Sequence, residues 1–299
     1  MKPSEFLKLY TDLNVFVVPP QSDVDQGAWT PVHVKKYHLG TSPFKAPLWA
    51  DVSPKVSKGS KVRVKTIEGK DSTSDVLNHT QLSNLFRWPF AGKGSPEQVQ
   101  ATIQLLYRYR QNKSTVQQFA GGVGTQNEYN FIGLDCNGFV GNYLQRVAFK
   151  MYDWWNQNNE RHPGPDSLIK DLFIDTTDPV YSMAEFGNGN QSICLFVFCS
   201  ETGDIYDHGH GPGGAGHIMI TDPGILSKGP DGVHLTVSES TAADIGGSGG
   251  GPVTSEYIIK SVQKEGNKAT RTGTVFLVWR GGSSAKKMYV KIGKLKTKA

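Results

Sequence analysis

The residues with the clearest chemical potential stand in the segment GLDCNGFVGNYL, residues 133–144. An acid, a cysteine, a small polar residue and a glycine come directly before apolar residues at helical spacing, which predicts a helix beginning at Asp135. In its first turn, unpaired backbone N–H groups and the helix dipole would favour a thiolate at Cys136 and bind a developing oxyanion. Asp135 and Asn137 would then be substrate or oxyanion contacts. The alternative is a buried helical cysteine that only packs.

A base for this thiolate is offered by the segment GGAGHIMITDPG, where His217 follows a glycine-rich loop and opens a short predicted strand. On the next predicted strand, VHLTVSES, Leu235 and Val237 alternate inward and Glu239 continues on the same side. A carboxylate on an apolar face is costly unless it is paired, and His217 is a natural partner. We therefore expect Cys136, His217 and Glu239 to form a nucleophile, base and orienting acid.

Three segments together resemble the NlpC/P60 cysteine peptidases. LDCNGFV resembles their D-C-S-G-[FLV]-V signature, with Asn137 in place of the usual Ser. GHIMITDPG is similar to their H-[VI]-[GA]-[IM]-Y-x-G strand, and QQFAGGVG to their Y-x-x-G-G segment. The resemblance implies an α+β fold with a papain-like NlpC/P60 core, in which the nucleophile helix packs on a mostly antiparallel sheet. It also implies a thiol protease or amidase, often acting on peptidoglycan stem peptides in the bacterial cell wall.

Carried over by position, Cys136 matches the family's nucleophile and His217 its base. The third group is commonly His in the family, and here Glu239 or its neighbour Ser238 must serve. Gln118 stands where the family has Tyr before the glycine pair. It is either a donor to the oxyanion, as in papain-type sites, or a residue at a helix end.

The elements that must position these residues divide the chain near the segment AGKGS. Residues 1–92 carry short extended patterns, including KVRVK at 61–65, and predict an N-terminal β-rich module. Its strands loosely resemble an SH3-like barrel, the alternative being a β extension packed on the main domain. Residues 93–299 would form the catalytic domain. There Ser95, Pro96 and Gln98 predict a capped helix, which is followed by the nucleophile helix and then by several short strands.

A rival site lies in DIYDHGHGPGGAGH, where Asp207, His208, His210 and His217 stand close together. The His-x-His spacing suits zinc, and the alternative is a glycine-rich loop whose histidines line the cleft. No further Cys or His pair at metal-binding spacing supports a metal site. We therefore expect neither a metal nor another cofactor.

The amino-acid composition limits the kinds of binding partner to be expected. The 299 residues include 37% hydrophobic and 20% charged residues, enough for a sizeable core, and the net charge of +5 suits an acidic polymer. The six lysines from Lys286 onward predict a solvated edge strand and end, the alternative being a polyanion-binding tail.

Cys194 and Cys199, in ICLFVFC, are interpreted as buried residues of one strand and not as a disulfide. No phosphate-cradling or base-reading motif is present, so a nucleic-acid partner is not expected.

The N-terminus lacks the apolar run of a secretion signal, and no window is long and apolar enough for a membrane span. The expectation is a protein that is cytoplasmic as made and reaches the cell wall, if it does, by a route without a signal peptide. A secreted toxin of this kind would have an inhibitor or immunity protein as a partner.

The two alternatives to an amidase are an acyl-ester hydrolase or acyltransferase using the same residues, and a non-catalytic module that binds cell-wall polymer.

Overall fold

The computed structural model describes most of the chain, with gaps between the described segments. The described residues are 1–19, 26–37, 52, 54–56, 60–76, 79–109, 115–121, 132–150, 164–186, 192–207, 216–242, 250–281 and 287–296.

Helices stand in the first two thirds of the chain. The α-helices are α1 (Pro3–Thr11), α2 (His79–Phe90), α3 (Pro96–Tyr109), α4 (Cys136–Tyr143) and α5 (Ile169–Thr176). Short 3-10 helices cover Val116–Ala120 and Met183–Phe186, and a π-helical turn, Leu144–Ala148, continues α4.

The predicted start of α3 is confirmed by its hydrogen bonds. The Gln98 side chain accepts from the N–H of Ser95 (3.0 Å), and the Ser95 hydroxyl accepts from the N–H of Gln98 (3.3 Å). Pro96 is the first helical residue. Two backbone donors at the helix end are therefore satisfied by a reciprocal capping box.

The strands form two hairpins and one large sheet. The strands are β1 (Leu13–Val17), β2 (Ala28–Val32), β3 (Ser60–Lys65), β4 (Asp71–Val76), β5 (Thr177–Pro179), β6 (Cys194–Cys199), β7 (Ile218–Gly229), β8 (Gly232–Thr241), β9 (Gly251–Lys264), β10 (Val275–Arg280) and β11 (Lys287–Leu295). β1 pairs with β2 and β3 with β4, each as an antiparallel two-stranded sheet.

The large sheet closes into a six-stranded antiparallel barrel. Its order is β10-β9-β8-β7-β6-β11, and the ring is closed because β11 also pairs with β10. The short strand β5 pairs with the end of β11. The protein is therefore mixed α+β, as predicted, but the expected sheet is a barrel. The prediction that the lysine-rich end forms an edge strand is wrong, because β11 is hydrogen-bonded on both sides, to β6 and to β10.

The two faces of the barrel strands belong to two different hydrophobic clusters. The interior of the barrel holds alternate residues of its strands, among them Phe196, Met219, Val237, Tyr257, Val278 and Ile292. The intervening residues of β6 and β7 face the helices and join the main cluster: Leu195, Val197, Ile218 and Ile220. Helices α1 and α4 pack on this outer face, at β7 and β8.

The main cluster crosses the predicted domain boundary. It runs without a break from Phe6 and Val64 on the N-terminal side to Phe139 and Ile218 on the other. The ring of Phe6 lies 6.0 Å from that of Phe139, so α1 packs directly on α4. The first 92 residues also contain the helices α1 and α2, which the strand patterns did not indicate. The division into 1–92 and 93–299 stays a prediction.

The polar side of α3 is buried against a strand. The Gln100 side chain accepts from the N–H of Lys65 (2.8 Å) and donates to the carbonyl of the same residue (2.9 Å). Gln104 accepts from the N–H of Arg63 (3.0 Å), and Glu97 from the N–H that follows β3 at Ile67 (3.1 Å). The backbone edge of β3 is thus covered by side-chain amide and carboxylate groups in place of another strand.

No described helix is both long enough and apolar enough to cross a membrane. Cys136, Cys194 and Cys199 are all reduced and buried, and the latter two belong to one strand, as predicted.

Candidate active site

Hydrogen bonds from three parts of the chain hold the segment that leads into the candidate nucleophile. The N–H of Leu134 donates to the carbonyl of Lys36 (3.1 Å), and the N–H of Asp135 donates to the carbonyl of Gly92 (2.9 Å). From the barrel, the Ser240 hydroxyl donates to the carbonyl of Leu134 (2.6 Å). The backbone that carries the cysteine is therefore fixed before the helix begins.

Asp135 is the N-cap of α4, so Cys136 is the first helical residue, as predicted. Its Oδ1 accepts from the N–H of Gly138 (2.5 Å), and its Oδ2 pairs with the ammonium of Lys93 (2.7 Å). Both members of this ion pair are buried. Burial raises the pKa of Asp135 to about 6, although Lys93 and the Gly138 N–H act in the opposite direction.

The first turn of α4 is tightly packed. The Asn137 side chain is buried; its Nδ2 donates to the carbonyl of Ser167 (2.8 Å), and its Oδ1 accepts from the thiol of Cys136 (3.6 Å). A β-carbon on Gly138 would lie 2.0 Å from the carbonyl oxygen of Gly92, so only glycine fits there. Asn137 therefore anchors the turn, and its predicted contact with a substrate stays a prediction.

His217 lies immediately before β7 and is 8% exposed. Its carbonyl accepts from the N–H of Phe198 (3.0 Å), whose ring centroid lies 5.2 Å from the imidazole. Nε2 is hydrogen-bonded to Oε2 of Glu239, and Cys136 lies close enough to the ring to raise its pKa. Because Glu239 occupies Nε2, Nδ1 is the ring nitrogen that is left for the thiol.

The pair of His217 and Glu239 is ionic at neutral pH. Burial lowers the pKa of His217, but hydrogen bonds with Cys136 and Glu239, and their negative charge, outweigh burial and bring it to about 10. Burial raises the pKa of Glu239, but the hydrogen bond and charge of His217, followed by the charge of Arg280, bring it below its usual value. The site therefore holds an imidazolium beside a carboxylate.

His217 belongs to a polar layer at one end of the barrel interior. The residues two positions away on the same strands belong to the apolar interior: Met219, Val237, Ile259 and Val278. Because side chains alternate along a strand, the polar layer continues the same interior rows. Its members are His217, Glu239, Tyr257 and Arg280.

Glu239 has no solvent exposure and is the centre of this layer. Its Oε1 accepts from Nη2 of Arg280, and its Oε2 lies 3.5 Å from the Tyr257 hydroxyl. The guanidinium carbon of Arg280 stands 5.5 Å from the ring centroid of Tyr257. The predicted inward position of Glu239 is thus observed, and the ring of His217 is paired with it and not with the neighbouring Ser238.

Tyr37 is a site residue that the sequence did not indicate. Its hydroxyl lies 3.8 Å from the sulfur of Cys136, a residue 99 positions away. Burial, followed by the negative charges of Cys136 and Asp135, raises the pKa of Tyr37 well above its usual value, so the hydroxyl keeps its proton. It is therefore a donor that can face a thiolate or an oxyanion. The surrounding pattern, TPVHVKKY, indicated only a strand.

Gln118 stands in the 3-10 helix Val116–Ala120 and is half-buried. The next residue, Phe119, accepts a hydrogen bond from the N–H of Ile132 (2.6 Å), so this helix adjoins the segment leading to Cys136. The preceding Gln117 pairs with the backbone of His33 through both its side-chain oxygen and nitrogen. The role of Gln118 toward an oxyanion stays a prediction.

The rival metal site falls mostly outside the described residues, which include Asp207 and His217 but neither His208 nor His210. Asp207 accepts from the N–H of Lys170 (2.8 Å). Within the described part of the chain, no three His, Cys, Asp or Glu side chains are grouped so that they could hold a metal ion.

Comparisons of this chain with protein-family models, with curated proteins and with solved structures found no match.

One missed residue carried a signal in the sequence. Arg280 follows Phe276 and Val278 at alternate positions of TVFLVWR, which is the pattern that pointed to Glu239. Lys93 and Tyr37 had no comparable signal, because both lie outside the helices and strands of the structure and reach the site through long-range contacts.

Proposed function

We propose that the protein is a cysteine hydrolase that cleaves amide bonds, most specifically those of peptidoglycan stem peptides. The observation that carries this proposal is the placement of Cys136, at the tip of α4, beside His217, whose ring is hydrogen-bonded to the buried Glu239. A thiol, an imidazole and an orienting acid in this order are the parts that acyl transfer requires.

Attack begins from the thiolate–imidazolium pair. The sulfur of Cys136 bonds to the carbonyl carbon of the scissile amide, and the carbonyl π electrons move to oxygen. His217 then gives its Nδ1 proton to the amide nitrogen, the C–N bond breaks, and an amine leaves behind a thioester on Cys136. Glu239 holds the imidazole through Nε2 and stabilises its positive charge.

The oxyanion forms beside the first turn of α4. There the backbone N–H groups of Cys136 and its successor point away from the helix, and the helix dipole favours negative charge. The Tyr37 hydroxyl, 3.8 Å from the sulfur, is a candidate side-chain donor, and Gln118 is the further candidate. A fully aligned donor of this kind is worth about 3 kcal/mol of barrier lowering in related chemistry, and a less closely placed donor contributes less.

Deacylation returns the enzyme to its first state. Neutral His217 takes a proton from water, the hydroxide oxygen bonds to the thioester carbon, and the C–S bond breaks. The acid product leaves, and the thiolate and imidazolium are restored. No group besides water and the residues of the site is needed for this balance.

The substrate class rests on the sequence resemblance to NlpC/P60 peptidases, and the arrangement is compatible with their papain-like core. A nucleophile helix packs on an antiparallel barrel that carries the base and the third group. The net charge of +5 suits an anionic polymer such as peptidoglycan. The N-terminal residues 1–92 would then act as part of the site, because they supply Tyr37.

The first test is the alkylation rate of Cys136 by iodoacetamide as a function of pH, read by mass spectrometry. We expect a thiolate that reacts well below the free cysteine pKa of about 8.5, and a large loss of this reactivity in His217→Ala. His234→Ala is the matched control, because that histidine pairs with an exposed acid, Asp231, at 2.6 Å. A thiol that titrates normally in the wild type would sink the proposal.

Substrate digestion then separates the amidase from its alternatives. Muropeptides, a peptide panel and acyl esters are incubated with the wild type and with Cys136→Ala, and the products are identified by mass spectrometry. New amines from muropeptides support the amidase. Turnover of esters alone favours an ester hydrolase or acyltransferase, and binding to cell-wall polymer without cleavage favours a non-catalytic module.

A further inference from the structure

The carboxylate of Glu239 has a second charged partner besides the imidazole. Nη2 of Arg280 donates to Oε1 of Glu239, while His217 holds Oε2. Nη2 also lies 3.4 Å from the hydroxyl of Ser255, and the guanidinium stands over the ring of Tyr257. Arg280 is therefore held in place on β10, the strand beyond β9 from Glu239, and both oxygens of the acid are occupied by cations.

The charges of the site balance only when Arg280 is counted. The reactive state has a thiolate and a carboxylate, which are negative, and an imidazolium, which is positive. Without a further cation this buried group carries one net negative charge, and an uncompensated buried charge is removed by a change of protonation. The guanidinium supplies the missing positive charge and cannot lose its proton.

Every titratable group that the structure places against Glu239 belongs to this set. The imidazole comes from the start of β7, the Tyr257 hydroxyl from β9 and the guanidinium from β10. The Tyr257 hydroxyl is neutral, since burial and the charge of Glu239 raise its pKa well above the usual value. Arg280 is thus the second cation on the acid among the described residues.

We propose that Arg280 is a positioning residue that keeps Glu239 ionised, so that the acid can stabilise the imidazolium and, through it, the Cys136 thiolate. The proposal rests on the proposed function, because it assigns a role within the same site. Arg280 acts through Glu239 and need not touch a substrate. The site is then a relay of four side chains, ordered Cys136, His217, Glu239 and Arg280.

The test measures the pH midpoint of Cys136 alkylation in the wild type, Arg280→Met and Arg280→Lys. Loss of the guanidinium raises the pKa of Glu239, so the acid stabilises the imidazolium less and thiolate formation requires a higher pH. We expect the midpoint of Arg280→Met to rise by about one pH unit, equal to a tenfold lower thiolate fraction below the midpoint. Arg280→Lys keeps the charge and should stay near the wild-type midpoint.

Controls separate this relay from a loss of packing. Arg271→Met removes an exposed arginine that pairs with Asp178 at 3.2 Å, and it should leave the midpoint unchanged. In a Glu239→Gln background, Arg280→Met should move the midpoint by less than ~0.3 pH unit, because its route of action is already removed. If Arg280→Met does not fold, Arg280→Gln takes its place with the same expected shift.

The outcomes distinguish the two proposals. A reactive wild-type thiolate whose midpoint is the same in Arg280→Met overturns the role of Arg280 and leaves the cysteine hydrolase standing. A shift in Arg280→Lys as large as that in Arg280→Met, or a full shift in the Glu239→Gln background, also overturns it. An ordinary thiol in the wild type overturns the hydrolase and this inference together.

Discussion

Two regions of the molecule bury polar side chains, and they do so in different ways. Along α3, Gln100 and Gln104 are almost fully buried, and their side-chain oxygens accept hydrogen bonds from backbone N–H groups of β3. At the end of the barrel, Glu239 and His217 are as deeply buried but are paired with each other. The first region joins neutral amides to backbone groups, whereas the second joins ionisable groups to one another and to a thiol.

The first kind of buried polar contact stabilises the fold, whereas the second kind is suited to a chemical reaction. A hydrogen bond between an amide and the backbone is satisfied at every pH and contributes about 1 kcal/mol to stability. A buried ionic relay is costly to assemble and changes with pH, so it is weak evidence for stability and stronger evidence for function. Glu97 stands between the two cases, because its carboxylate covers the end of β3 and also forms a bidentate pair with Arg146 (2.8 and 3.0 Å).

The largest expected effect comes from removing the nucleophile. Cys136→Ala should lower hydrolysis by about four orders of magnitude or more, because covalent catalysis is lost while the rest of the site remains. The measurement is the initial rate of product formation on the best substrate of the panel. Cys199→Ser is the matched control; that thiol is buried on β6, and burial raises its pKa to about 12. Equal losses in both variants would contradict the assignment of Cys136.

The second effect comes from neutralising the acid of the barrel end. Glu239→Gln should lower kcat/KM by about three orders of magnitude, since the imidazole loses its orientation and the partner of its charge. The direction of the expected change in the pH profile of kcat/KM follows from the pKa of His217. The pKa of His217, about 10 in the wild type, falls when Glu239 loses its charge, so the imidazolium is lost at lower pH. The alkaline limb of kcat/KM should therefore move from about 10 toward the usual histidine value of about 6.5.

The conservative change Glu239→Asp tests whether this effect depends on the charge. It keeps the carboxylate, so the alkaline limb should stay above that of Glu239→Gln even if the rate falls. An unchanged limb in Glu239→Gln would show that the acid does not control the imidazole.

The architectural region should behave in the opposite manner. Gln100→Met removes both hydrogen bonds with the backbone of Lys65 and leaves a half-buried N–H and carbonyl without these partners. We expect the free energy of unfolding to fall by about 2 kcal/mol, measured by urea denaturation, with kcat/KM within about twofold of the wild type. Gln263→Met, at an exposed position of β9, is the control for stability. A large loss of kcat/KM in a Gln100→Met variant that remains folded would contradict the distinction between the two regions.

The smallest expected effect concerns Tyr37, which belongs to the N-terminal part of the chain but contacts Cys136. Tyr37→Phe should lower kcat about tenfold with little change in KM, because one donor to the developing negative charge is lost. Tyr10→Phe is the matched control: its hydroxyl donates to the carbonyl of Gly94 (3.0 Å), so stability should fall while kcat is kept. Equal kcat values for Tyr37→Phe and the wild type would remove Tyr37 from the site.

Features that depend on local physics were predicted from the sequence. A helix beginning at Asp135 followed from the apolar spacing and is observed as α4, with Asp135 as its cap, and the start of α3 followed from the capping box of Ser95 and Gln98. The inward position of Glu239 followed from alternation along one strand. In each case the deciding contacts lie within a few residues of one another, so the pattern of residue types is enough.

Only the tertiary structure decided the features that depend on distant pairing. Closure of the barrel by β11 requires its register with both β6 and β10, which no local pattern specifies. The contact of Tyr37 with Cys136 joins positions 99 residues apart, and that of Arg280 with Glu239 joins positions 41 apart. The sequence by itself determined which side chains stand at a helix tip and in the interior row of a strand. Which of them meet was decided by the closed barrel and by the hydrogen bonds that hold the N-terminal segment against α4, because long-range contacts arise from the whole set of packed elements and not from the propensity of any one of them.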